Sequence, residues 1–226
     1  MVNEAVLVPG DPEGLIAATV RRGEHEAPVW IQTRWEGGEY APYVIQNGCG
    51  HCAVAMALRL SGVPDIDPYL EYQNDRRLFG APNEAAGEGH WLDPQGVAAS
   101  LRSFSVGAEV FGIPAGGQAA ATAHILSALR DGSMVVFLSF PLTEDNPFST
   151  GAHYVLLVGI DGRGRVQVAN SSLRGRTPTP GVQTVSPEAL TAALLPEGGN
   201  PTEGVFWGQA DYSKRQGYII VGERYV

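Results

Sequence analysis

Residues 46–58 read Gln46-Asn47-Gly48-Cys49-Gly50-His51-Cys52-Ala53-Val54-Ala55-Met56-Ala57-Leu58, and the fold turns on what this stretch is. From about residue 50 to Ser61 the composition is that of a helix, and Gly62 with Pro64 just beyond it is a stop signal. A cysteine at the start of such a helix sees the positive end of the macrodipole, which lowers its pKa and favours the thiolate. Small neighbours leave room for a substrate to approach the sulfur. Three readings meet here. One is a pair of buried structural cysteines on a core helix. Another is a dithiol redox site, because Cys49-Gly50-His51-Cys52 has the C-x-x-C spelling, although Gly48 stands where such sites carry an aromatic residue. The third is a cysteine nucleophile, which requires a distant histidine and a polar group to orient it.

The downstream half supplies both. The runs Met134–Phe140 and His153–Ile160 are short, apolar and rich in Val, Leu and Phe, as strands are. Asp161-Gly162-Arg163-Gly164 forms the loop of a hairpin whose returning strand is Arg165–Ala169. If Ile160 pairs with Arg165, residue 155 faces Asn170, and His153 lies diagonal to Asn170 on the same sheet face. That placement lets Asn170 hold the imidazole and fix its tautomer. A bulge in the hairpin would change the register and bring Ser171 or Ser172 into consideration instead.

Residues 12–21, opened by Asp11 and Pro12, read as a short helix, and Val29–Ile31 as a strand. Residues 63–90 are polar and punctuated and carry no assigned element over most of their length. Asp93-Pro94 opens a helix through Leu101, Gln118–Arg130 is another, and Ser186 caps one over Pro187–Leu194. Short strands are expected near Val205–Trp207 and Gly217–Val221. Helices thus gather in the first half and strands in the second, which argues α+β over alternating βαβ units. The expected organisation is one domain over 1–226. Residues 1–40 are an N-terminal extension of unassigned role, 41–131 a mainly helical part and 132–226 a mainly sheet part.

Composition narrows the partners. Of 226 residues, 44% are hydrophobic and 17% charged, which supplies a sizeable core and excludes global disorder. The formal net charge of −9 repels phosphate backbones. Basic residues cluster only at Arg21-Arg22, Arg76-Arg77 and Arg174/Arg176, so no nucleic-acid surface is expected. Apolar runs such as Tyr154–Val158 fall far short of the roughly 18 residues of a membrane span. The first residues lack a basic segment followed by an apolar one, so a cytoplasmic location and no membrane association are expected. Two cysteines make no disulfide framework. No metal is expected, because Cys49, Cys52 and the scattered histidines offer no second ligand pair at zinc-site spacing. Phosphate-loop patterns are absent, and no cofactor is expected.

The ordered set of segments resembles the papain-like cysteine peptidases, bacterial ones included. These carry an oxyanion-hole Gln, a Cys opening the central helix, a His beginning a strand, and an Asn or Asp some 16–17 residues later. Here the set is Gln46, Cys49 or Cys52, His153 in GAHYVLLVGID, and Asn170 in VANSS. CGHCAVAMAL followed by Gly62 is most similar to the branch of bacteriocin-leader peptidases. The resemblance covers roughly residues 43–62, 88–101 and 134–172. It implies a helical part bearing the nucleophile, packed on a twisted antiparallel sheet, with Gln46 as an oxyanion donor. In the family the Gln usually lies six residues before the nucleophile, which points to Cys52. The helix face points to Cys49, since Ala53, Met56 and Leu60 then form an apolar stripe, whereas counting from Cys52 brings Arg59 to the buried position.

The expected function is therefore a hydrolase or acyl-transfer enzyme. It would act on an amide, peptide or thioester bond through a thioester acyl-enzyme, with a peptide or small-molecule acyl substrate, free or carrier-bound. Two other classes remain open, a thiol–disulfide oxidoreductase using Cys49 and Cys52 and an inactive binding module on the peptidase fold. His51, His90 and Trp91 are candidates for lining the substrate cleft. His25 and His124 read as surface or helix residues.

Overall fold

The computed structural model describes residues 5–9, 15–34, 48–80, 93–140, 147–149, 152–172, 181–197 and 216–225. These form an α+β fold of two antiparallel sheets and five α-helices. The first sheet is β1 (Val6–Pro9), β2 (Ile16–Arg22) and β3 (His25–Trp30), in that order. The second has six strands in the order β4-β9-β5-β6-β7-β8: β4 (Val106–Phe111), β5 (Met134–Ser139), β6 (His153–Ile160), β7 (Val166–Asn170), β8 (Gly181–Val185) and β9 (Tyr218–Arg224). The helices are α1 (Cys49–Leu60), α2 (Pro68–Phe79), α3 (Pro94–Ser103), α4 (Gln118–Arg130) and α5 (Pro187–Ala193). No helix among the described residues is long and apolar enough to cross a membrane.

Helix α1 is the centre of the molecule. Every residue from Gly50 to Leu58 is buried, and a helix that is apolar nearly all round belongs inside a protein. It lies between the two sheets, with Met56, Val29, Val136 and Leu156 in one core cluster. It ends as its sequence dictates. Gly62 takes φ +82°, and the Val63 N–H reaches back to the Leu58 carbonyl at 2.9 Å, closing a Schellman turn. A Cβ at Gly62 would also sit 3.0 Å from the His25 ring. The other face of the large sheet carries Val135, Phe137, Val155 and Leu157, packed with Ile125 and Leu129 of α4 and Leu190 of α5.

Two sequence expectations are corrected. Residues 12–21 were expected to form a helix, but Ile16–Arg22 is the central strand of the first sheet. Hydrogen bonding to β1 on one side and β3 on the other outweighs helical spacing, and Gly23 at φ +60° makes the tight connection to β3. With this sheet buried against α1, the N-terminal segment contributes Val20, Ala27 and Val29 to the core, and strands are not confined to the second half. The stretch 63–90, given no element over most of its length, contains α2. Its buried face is Glu71, Tyr72, Asn74 and Asp75, too polar to register as an amphipathic pattern. Its start was legible. Asp67 accepts the Leu70 N–H at 2.8 Å ahead of Pro68, the same Asp-Pro signal that opens α3, where Asp93 accepts from Gly96 at 2.6 Å. The strand expected near Val205–Trp207 lies outside the described residues.

Candidate active site

The β6–β7 hairpin builds half of the site. Ile160 pairs with Val166 rather than Arg165, so from the loop alone His153 and Asn170 would be out of step. A bulge between Leu157 and Gly159 removes the one-residue difference, and beyond it Leu156 faces Ala169. The expected register therefore holds where it matters, because of the bulge that was expected to break it. His153 Nε2 lies 2.8 Å from Asn170 Oδ1, and both side chains are buried.

Which nitrogen of His153 carries the proton follows from the contacts of Asn170. The Ser172 backbone N–H, which can only donate, points at Asn170 Oδ1 at 2.9 Å. The Asn170 amide nitrogen donates to the Phe148 carbonyl at 2.9 Å and to Gln183 Oε1 at 3.3 Å. The carboxamide orientation is thus set by a donor at one end and two acceptors at the other. Oδ1 faces His153, so Nε2 is the N–H and Nδ1 holds the lone pair. Burial keeps the imidazole neutral by pushing its pKa down to about 4, while the hydrogen bond to Asn170 acts in the opposite direction. A neutral imidazole with a fixed tautomer and a free base at Nδ1 is suited to removing a proton from a thiol. Ser171 and Ser172 do not replace Asn170, although Ser172 helps to orient it through its backbone.

The two cysteines occupy unlike environments. Both are free thiols. Cys49 is the first residue of α1 and is partly exposed, next to the helix dipole's positive end. Cys52 is fully buried, and desolvation first, then the neighbouring Cys49, push its pKa upward, with the Ser171 hydroxyl acting the other way. Ser171 immediately follows Asn170. The first turn of α1 therefore meets the strand end that carries the His–Asn pair.

His51 does not line a cleft. It is 2% exposed and points into the contact between α1 and α2, where Nδ1 hydrogen-bonds Glu71 directly and lies 3.5 Å from Asp75 Oδ2. Glu71 also accepts from Ser100 of α3 at 2.8 Å. Among the described residues these three are the His/Cys/Asp/Glu group compact enough to hold a metal, with ligand atoms within 4.8 Å. His51 and Glu71 bond each other directly, so the contact between them is one that can share a proton. Sequence inspection missed Glu71 and Asp75; their spacing of four residues on a helix of polar buried face was the available signal. Gln46, His90 and Trp91 lie outside the described residues. His124 hydrogen-bonds the Tyr218 hydroxyl at 2.7 Å, and His25 stands exposed at the end of β3.

The sequence matches no family model and no curated protein. Among solved structures, the chain is similar to one described as a C39-like peptidase from Bacillus anthracis. The two are 16% identical, with a TM-score of 0.46 over 79% of this chain and 90% of that one.

Proposed function

We propose that the protein is a papain-like cysteine hydrolase or acyl-transfer enzyme in which Cys49 is the nucleophile, His153 the base and Asn170 its orienting partner. The observation that carries this reading is the oriented His153–Asn170 pair at 2.8 Å, beside the strand end that the first turn of α1 meets. Cys49 is favoured over Cys52 because it is the partly exposed residue of the two and its place at the helix start favours a thiolate. In the first step His153 Nδ1 takes the thiol proton as the sulfur attacks a carbonyl carbon. The resulting oxyanion is received by backbone N–H donors at the start of α1; Gln46, which the family spacing pairs with Cys52, lies three residues before Cys49 and is a candidate for a side-chain donor. The imidazolium returns its proton to the leaving group as the carbon–heteroatom bond breaks, and a thioester remains on Cys49. Water, or another nucleophile deprotonated by His153, then releases the acyl group. A peptide or a small acyl compound, free or carried, fits this chemistry, and a cytoplasmic setting is part of the proposal.

The test is acyl-enzyme capture. The full chain is mixed with a p-nitrophenyl ester, quenched in acid, and read by intact mass and peptide mapping. The expected result is a burst of nitrophenolate matched by one acyl group on Cys49 that hydroxylamine removes. No burst and no adduct would support the binding-module reading; an adduct on a different residue would displace Cys49.

A further inference from the structure

The mechanism leaves three buried titratable groups unused, and they sit directly behind the first turn of α1. His51 projects from that turn. Glu71 and Asp75 come from successive turns of α2, and all three are within 2% of full burial. His51 Nδ1 bonds Glu71 and lies 3.5 Å from Asp75, so one ring nitrogen faces two carboxyl groups. The contact is tied to α3 as well. Ser100 donates to Glu71, and the Asn74 amide reaches Ser103 at 3.0 Å and Ser100 at 3.4 Å. The Tyr72 ring stands edge-on to His51 at 5.1 Å.

We propose that His51, Glu71 and Asp75 are positioning residues, a buried proton-sharing bridge between α1 and α2 that fixes the first turn of α1, and with it the Cys49 thiol, for as long as the bridge carries no net charge. The positioning role rests on Cys49 being the nucleophile; the bridge itself does not.

Two acidic protons distributed over the three sites make the bridge neutral. They sit on both carboxyls beside a neutral imidazole, or on the imidazole and one carboxyl beside one carboxylate. Both arrangements have the same net charge and interconvert by moving a proton along the hydrogen bond. Loss of one proton leaves a net negative charge in the interior, which is costly in a low-dielectric setting. His51, whose pKa burial pushes down to about 4 while Asp75 acts in the opposite direction, is the base within ion-pair distance of the two carboxyls. Among the described residues, Cys52 of α1 faces Glu71, and Tyr72 of α2, whose ring lies 6.0 Å from the Arg76 guanidinium, stands against His51. From α3 the facing group is the Ser100 hydroxyl, which is neutral.

Burial is the largest cause raising both carboxyls, to about 8 each from 4.5 for Glu71 and 3.8 for Asp75. The folded chain thus holds protons that the unfolded chain releases near pH 4. The stabilising contribution of this pair is complete below that value and is lost as pH rises toward about 8. Beyond about 8 the bridge itself ionises, and the first turn of α1 loses its anchor.

Cys52, one residue after His51 and fully buried, is a built-in reporter of that anchor. The experiment follows iodoacetamide labelling of Cys52 and ester acylation of Cys49 across pH in wild type, Asp75→Asn and Glu71→Gln, with circular dichroism recorded in parallel. In wild type, Cys52 labelling, corrected for its thiolate fraction, is expected to rise as pH climbs toward about 8, by about tenfold per pH unit for each carboxyl that ionises on opening, and to level off above it while helicity persists. Cys49 acylation should decline over the same range. Asp75→Asn keeps the shape and hydrogen bonding but leaves Glu71 as the one carboxyl that ionises, so its rise in Cys52 labelling should be only about tenfold per pH unit, and the double variant with Glu71→Gln should show no rise. Glu71→Gln serves if the first variant does not fold, and the wild-type profile stands without either. Cys52 protection independent of pH in wild type, or lost as steeply in the variants as in wild type, would overturn the proposal. So would a divalent metal that survives purification and leaves together with Cys52 protection on chelation. Normal bridge behaviour without any Cys49 acylation would instead count against the nucleophile reading.

Discussion

Cys49→Ala is expected to abolish acyl-enzyme formation, whereas Cys52→Ala keeps it. Removing a nucleophile has cost a comparable enzyme roughly 10⁶-fold in turnover, which leaves no measurable burst. Cys52 is a different matter. Its thiol is fully buried and burial disfavours its thiolate, so its contribution is packing between α1 and the end of β7. Alanine continues the helix at low cost and gives up about 1 kcal/mol of packing, enough to lower the melting temperature but not to silence the site. The contrast separates the two chemistries that the C-x-x-C spelling allows. A dithiol redox site needs both sulfurs, and the exposed-then-buried arrangement of Cys49 and Cys52 is compatible with one. An active Cys52→Ala protein removes that reading; loss of activity in both variants, with a reversible disulfide in wild type, establishes it.

His153→Ala is expected to slow acylation about 10²–10⁴-fold, the range for loss of a positioned general base. The pH profile should identify the same residue. Because burial holds the imidazole at about 4, His153 is the free base throughout the mildly acidic range. The acid limb of wild-type acylation should therefore lie near pH 4, well below that of an exposed histidine, and should vanish in His153→Ala. An acid limb near 6.5, or one that survives the substitution, would mean that another group carries the proton.

The sequence and the structure agree where local signals are strong. Cys49–Leu60, Gln118–Arg130 and His153–Ile160 follow from composition, caps and turn residues, and Ser186 caps α5 as expected, accepting from Ala189 at 3.3 Å. Agreement fails where tertiary contacts decide. Ile16–Arg22 has a composition that suits either element, and only its pairing partners on both edges settle it as a strand. The polar helix Pro68–Phe79 hides from hydrophobic periodicity because it buries Glu71 and Asp75, whose partner His51 lies on another helix earlier in the chain. The His153–Asn170 pairing was legible from strand geometry, although the bulge that secures it was not. His51 was assigned to a cleft on sequence adjacency to the cysteines. Helical geometry instead turns it toward α2, because residues two apart on a helix point in different directions.

The central claim is that Cys49 is a nucleophile activated by His153, and the most direct measurement is site-resolved alkylation. A substoichiometric pulse of iodoacetamide near neutral pH is applied to wild type, Cys49→Ala, Cys52→Ala and His153→Ala, and the labelled residue is read by peptide mass. The account predicts that label in wild type falls on Cys49 and spares Cys52, that Cys52→Ala labels as wild type does, and that His153→Ala labels at least about tenfold more slowly. Label on Cys52, or a Cys49 rate indifferent to His153, would contradict it.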